Sequence, residues 1–301
     1  MINFYFLVQL CKFFNEIILL QVFEEQQEEV LIDGVDHELL IGCKHEIKQH
    51  CPKENEINGI LHCLKQTIQS SNMDFDRNCK LIINRRTNQQ SKDYRLRPRL
   101  QRACEKDLKN YCQDVLLHQG DKDTSKDFLE GQVIQCLQAK LIADPDLVTP
   151  QCRHELSSVI RDEAHDYRNN AQLTIECPRS IEICKQKLDK ENLDARTAYY
   201  GGKVEECLKT MFKKADIADG EVCSKLIATL IEATNIDIQA DHMLYKACAL
   251  DVSKFCSNIP HGSGQQLKCL SNIIQEAKYK LEAKCDALLR QRLEMFDVVS
   301  P

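Results

Sequence analysis

The chain has 301 residues, a net charge of −6, no Trp, 6% aromatic and 29% charged residues, and only 10 Gly and 7 Pro. The scarce Gly and Pro and the plentiful Leu, Ile, Lys and Glu favour helices over strands, and no nucleic-acid partner is expected. Its 17 cysteines point to an oxidising compartment, the secretory lumen or the cell exterior.

Residues 2–23 are mostly apolar, but Lys12 and Glu16 interrupt them and no basic residue precedes them. They make a poor membrane span and a poor signal peptide, and are expected to be a weak signal anchor or a gene-model artefact. Cys11 is the odd cysteine. An acidic run follows, containing Glu24, Glu25, Glu28, Glu29, Asp33, Asp36 and Glu38.

From Cys43 onward the cysteines fall into a frame of four quartets: Cys43, Cys51, Cys63 and Cys79; Cys104, Cys112, Cys136 and Cys152; Cys177, Cys184, Cys207 and Cys223; Cys248, Cys256, Cys269 and Cys285. The third-to-fourth gap is always 16, the step to the next quartet always 25, and the first gap 8, 8, 7 and 8. Only the middle gap wanders, through 12, 24, 23 and 13. A fixed frame with one elastic segment is a repeated structural unit with a variable loop. The expected divisions are an N-terminal segment over 1–32 and repeats over 33–92, 93–165, 166–236 and 237–301. Such small units bury too little surface to be stable without disulfides.

Each repeat reads as three helices. The first carries the first two cysteines, with Leu39, Leu100, Leu173 and Leu244 four residues before the first cysteine and Ile47, Leu108, Ile181 and Val252 four after. These share one helical face. The second helix opens near Gly131, Gly202 and Gly264, with Asn58 in the first copy, and Leu64, Leu137, Leu208 and Leu270 follow the third cysteine. The third helix holds the fourth cysteine, and Thr149-Pro150 is a good start signal for it. Asp93-Tyr94-Arg95, Asp166-Tyr167-Arg168 and the weaker Asp237-Ile238-Gln239 stand between repeats, where Asp is expected to cap the next helix or mark a hinge. The fold class is therefore all-α, with disulfide-stapled three-helix repeats in an elongated array that touch mainly their neighbours.

The cysteine pairing follows from the helices. The first two cysteines lie roughly 12 Å apart along one helix, too far for a bridge that needs Cα atoms within about 7 Å. In an antiparallel hairpin the second and third are neighbours whatever the loop length. The expected pairs are Cys43–Cys79, Cys51–Cys63, Cys104–Cys152, Cys112–Cys136, Cys177–Cys223, Cys184–Cys207, Cys248–Cys285 and Cys256–Cys269.

The pattern L-x3-C-x2-[DE]-[ILV]-x2-[YFH]-C at Leu100–Cys112 and Leu244–Cys256, joined to C-L-x14-C and the Asp-Tyr-Arg segment, resembles the repeats of the Golgi apparatus protein 1 family. These are cysteine-rich fibroblast growth factor receptors and E-selectin ligands. The likeness covers about residues 33–297 and implies an internal fragment of a longer, single-pass type I protein, on the lumenal side of the Golgi membrane. It implies fibroblast growth factors and other secretory cargo as partners. Membrane association would come through parts of the full-length protein outside this chain. There are departures: Ser180 replaces the acid found as Glu46, Asp107 and Asp251, and the chain has no N-x-[ST] sequon, so a glycan-dependent role such as selectin binding is not expected here.

No catalytic motif is present: no G-x-S-x-G, H-E-x-x-H, P-loop or G-x-G-x-x-G. The expectation is a binding scaffold rather than an enzyme, with no cofactor and no metal, since short C-x2-4-C zinc pairs are missing. The acid three residues after the first cysteine recurs, and a helix-surface or packing role suits it better than catalysis. The basic run includes Arg95, Arg97, Arg99 and Arg102, a candidate patch for a ligand such as a sulfated glycan. The alternative is a saposin-like lipid-binding module, which would need a continuous apolar face and six cysteines per unit rather than four.

Overall fold

The computed structural model describes residues 36–70, 75–118, 131–191, 202–259, 264–276 and 279–299. The N-terminal segment with Cys11, and most of the long variable loop of the second repeat, lie outside the described residues. Among the described residues there are sixteen α-helices, three short 3-10 turns and no strand. They form two compact units, one of residues up to 90 together with 95–98, the other of 91–94 and 99 onward.

The first unit holds α1 (His37–Gly42), α2 (Lys44–His50), α3 (Ile57–Ser70) and most of α4 (Arg77–Lys92). Its core gathers Leu39, Ile60, Leu61, Leu64, Ile82 and Ile83 around two disulfides, Cys43–Cys79 and Cys51–Cys63.

The second unit repeats this plan three times. The second repeat has α5 (Pro98–Ala103), α6 (Glu105–Tyr111), α7 (Gln113–His118), α8 (Gln132–Ala143) and α9 (Pro150–His165); the third has α10 (Ala171–Glu176), α11 (Pro178–Glu191), α12 (Lys203–Lys213) and α13 (Glu221–Ile236); the fourth has α14 (His242–Phe255), α15 (Gln265–Glu276) and α16 (Ala283–Val299). The bridges are Cys104–Cys152, Cys112–Cys136, Cys177–Cys223, Cys184–Cys207, Cys248–Cys285 and Cys256–Cys269. In all four repeats the outer bridge joins first to fourth cysteine, with Cα atoms 4.6 to 5.2 Å apart. The Leu after each third cysteine is fully buried.

Three features differ from the sequence expectation. The first helix is continuous only in the fourth repeat; in the others it breaks at the first cysteine, whose backbone leaves the helical region at Cys43, Cys104 and Cys177. The main-chain bonds continue across the break, Cys104 N to the Leu100 carbonyl and Leu108 N to the Cys104 carbonyl, so the break is a local kink. In the third repeat Pro178 follows the kink and has no N–H to give. Second, Asp166 and Asp237 do not cap the next helix. Each caps its own 3-10 turn, accepting from Arg168 N and Gln239 N, and the helix that follows is capped by Asn170 or Asp241. Third, contacts reach beyond neighbours, because α9 of the second repeat packs on the 3-10 turn at 238–240 and on α14 of the fourth.

The third helix is what interlocks the second unit. In the third and fourth repeats its first half packs in its own repeat, and its second half reaches the core of the repeat before. Ala233 and Ile236 of α13 enter the core of the second repeat, and Met295 of α16 enters that of the third. The glycine that opens each second helix seats against the end of the preceding third helix. Gly131 N donates to the Lys92 carbonyl and Gly264 N to that of Ile236. Gly131, Gly202 and Gly264 have φ of +77°, +78° and +71°, where a Cβ is strained. A Cβ on Gly131 or Gly202 would also come within 3.0 Å of Ala171 or His242 of the following repeat, and one on Gly264 would run into the Asn235 carbonyl. Asn58 takes no left-handed backbone; α3 starts one residue before it.

Gly264→Ala combines a left-handed alanine with a clash against fixed backbone. It should cost on the order of 2–3 kcal/mol, read as a lowered melting temperature of the oxidised chain with unchanged disulfide content.

Candidate functional site: polar joints within and between repeats

The recurrent acid of the first helix is buried and caps the third helix of its own repeat. Asp107 accepts from the Thr149 N–H at 3.1 Å and from its hydroxyl at 2.7 Å. Thr149 therefore uses its hydroxyl on Asp107 and makes no side-chain cap of its own. Glu46 accepts from Asp76 N, and Asp251 accepts from Glu282 N through both oxygens. Each satisfies a donor that a helix start leaves open. In the third repeat the polarity is reversed. Ser180 accepts from Ala218 N, while Asp219 accepts from Arg179 N and Ser180 N. Burial alone would raise the Asp219 carboxyl, but the bonds from Ser180 and Arg179 hold it below the ordinary range.

A second polar set joins consecutive repeats. It uses the residue two after the third cysteine, the cap position of the next first helix and, at the first two joints, the residue eleven after the fourth cysteine. In the first unit Lys65 bonds Gln90 at 3.2 Å, and Arg97 bonds the Gln90 carbonyl at 3.1 Å. Between the second and third repeats, Gln138 and Asn170 both bond Glu163. Between the third and fourth, Lys209 and Arg292 converge on Asp241, at 2.8 and 2.6 Å, and Arg292 also pairs with Glu206. Lys209, Asp241 and Arg292 are fully buried. Burial works against the Asp241 charge, yet Lys209 and Arg292 keep its carboxyl far below the usual carboxylate range.

Cysteine and apolar periodicity does not reveal these joints, but a signal was available. Asp36 and Asp241 cap the first helix in repeats one and four, and there the seventh residue after the fourth cysteine is Arg86 or Arg292. Arg86 bonds Asp36 at 3.0 Å. Where the cap position holds Arg97 or Asn170, that place is Val159 or Leu230.

Of the candidate ligand patch, Arg97 is buried, and Arg99 and Arg102 are exposed on α5 with Arg95 partly so. Among the described residues no group of three His, Cys, Asp or Glu is placed to hold a metal ion. No described helix is long and apolar enough to cross a membrane.

The Cysteine rich repeat family matches residues 77–142, 150–216 and 221–278. The chain belongs to this family. Each matched cysteine-rich segment begins at the third helix of one quartet and ends at or just past the second helix of the next. Over 277 residues the chain is 36% identical to Golgi apparatus protein 1 of Gallus gallus and 35% identical to that of Homo sapiens, covering 92% of this chain. The Golgi apparatus protein 1 homolog of Caenorhabditis elegans is 28% identical over 283 residues. The chain spans less than a quarter of these relatives' length, 23%, 22% and 23%. No solved structure matches it.

Two substitutions test the joints. Ser180→Asp sets a second carboxylate beside Asp219 and should destabilise by about 1–2 kcal/mol; adding Asp219→Ser, which removes the opposing carboxylate, should recover most of the loss in a double-mutant cycle. Asp241→Ala removes the anion from buried Lys209 and leaves Arg292 with Glu206 alone, and should cost about 3–5 kcal/mol in denaturant unfolding.

Proposed function

We propose that the chain is part of a lumenal scaffold of the Golgi and secretory pathway that binds secreted protein cargo, foremost growth factors of the fibroblast growth factor class, and influences their trafficking. The observation that carries this reading is the match over 92% of the chain to proteins named Golgi apparatus protein 1. Eight disulfides suit an oxidising lumen. The recurrent polar groups are consumed in helix caps and joints rather than gathered around a reacting atom, which favours a binding scaffold over an enzyme. Attachment to the Golgi membrane as a type I protein would rest on the longer whole.

Growth factors of this class are basic and the chain carries a net charge of −6, so attraction between them is salt-dependent. Immobilised oxidised chain should capture a basic fibroblast growth factor with an affinity that falls about tenfold or more between low and high salt. Equal binding by reduced, alkylated chain would overturn a folded scaffold. Arg99→Gln with Arg102→Gln should lower the salt needed for elution from heparin if sulfated glycans are co-ligands, and leave capture of the growth factor intact.

A further inference from the structure

We propose that the place where the second, third and fourth repeats meet is a pH-tuned clasp, closed most firmly in mildly acidic solution and loosened on either side of it. Three side chains carry the inference. Glu205 on α12 is 2% exposed and its Oε1 meets no hydrogen-bond partner. The other repeats place Leu61, Ile134 and Leu267 at the same register, so packing does not call for a carboxyl there. His165 ends α9 of the second repeat and His242 opens α14 of the fourth, and their rings lie 4.7 Å apart. Gly202 of the third repeat sits against His242 and the Ala164 carbonyl, so all three repeats share the contact. At the equivalent joint around Gly131 the two places hold Lys92 and Ala171.

A buried carboxyl with an unpaired oxygen favours its neutral form. Burial pushes Glu205 up to about 8, with Lys209 opposing and Asp241, Glu163 and Asp166 reinforcing. Two imidazoles at this distance repel once both are charged. Burial and then His242 bring His165 down to about 4, helped by Lys246 and opposed by Asp166 and Asp162. Burial and Lys246 lower His242 against the pull of Asp241. Lys209, Arg292 and Glu206 complete the charged groups around Asp241.

The two kinds of group act in opposite senses. Glu205 has a folded value above its unfolded one, so its contribution is complete below about 4.5 and is lost as pH rises toward about 8. His165 has a folded value below the unfolded one, so its contribution is complete above about 6.5 and is lost as pH falls toward about 4; His242, also lowered, acts in the same sense. From pH 8 down to 6.5 only Glu205 changes, and closure strengthens. Below 6.5 two histidines oppose one carboxyl, and closure weakens.

The test is hydrogen exchange on the full oxidised chain, corrected for intrinsic rates, at the end of α9 and the start of α14. The closed-to-open ratio should peak near pH 6.5, drop about tenfold by pH 8 and fall again as pH is lowered to 5. Glu205→Gln should abolish the drop toward pH 8, and His165→Gln with His242→Gln the drop toward pH 5. Profiles of these variants that superimpose on that of the unaltered chain would overturn the clasp. Should a variant fail to fold, NMR titration of the unaltered chain decides: a His165 ring that titrates between pH 6 and 7 sinks the proposal, and one still neutral near pH 5 supports it.

Discussion

Everything in a repeat depends on where the outer disulfide ties the first helix to the third. The first cysteine sits where the first helix kinks or passes through, and the fourth lies in the first turn of a third helix of 16 or 17 residues. The bridge alone fixes two points. The acid one turn further along the first helix fixes the direction, because it accepts from the main-chain N–H at the start of the third helix. Covalent tether and charge-assisted cap act on the same helix end, one restricting the unfolded chain and the other satisfying a folded donor. In the third repeat no side chain caps the helix start at Gly220; Ser180 and Asp219 instead tie the first helix to the turn before it. The link between the two elements is retained there by different bonds.

The joints follow a different rule. They share the residue two after the third cysteine, but its partner varies from one to the next: Lys65 on Gln90, Gln138 on Glu163, and Lys209, joined by Arg292, on Asp241. Each buried charge is met by a partner or replaced by a neutral side chain, as desolvation demands. At Glu205 no hydrogen bond meets Oε1, and burial favours the neutral carboxyl.

The helical class and the cysteine frame were legible in the sequence because both are periodic. Leu39, Leu100, Leu173 and Leu244 recur at one offset, and all are buried. The glycines were legible as helix starts, but their deeper role was not, since Gly131 and Gly264 meet carbonyls contributed by the preceding repeat's helix. The joints escaped for a related reason. Periodicity compares the same position between copies, whereas Asp241, Lys209 and Arg292 occupy three different positions and are related only by charge. The kink at Cys104 left no trace in sequence, because no Pro or Gly stands beside it, whereas Gly42 precedes the one at Cys43 and Pro178 follows the one at Cys177.

The glycine contact also makes each repeat directional. One end offers the carbonyls that finish a third helix, and the other offers a left-handed glycine whose N–H can reach them. Main-chain groups are the same in every copy, so this contact cannot tell one repeat from another. It would let copies be added or lost by recombination without a new interface having to arise. Order must be written elsewhere, in side chains that differ from joint to joint. An exchanged fourth repeat would still find its glycine seat, but if its cap position were neutral it would leave Lys209 facing no anion from that cap. The backbone permits an array of any length, and the buried charges decide which repeat stands next to which.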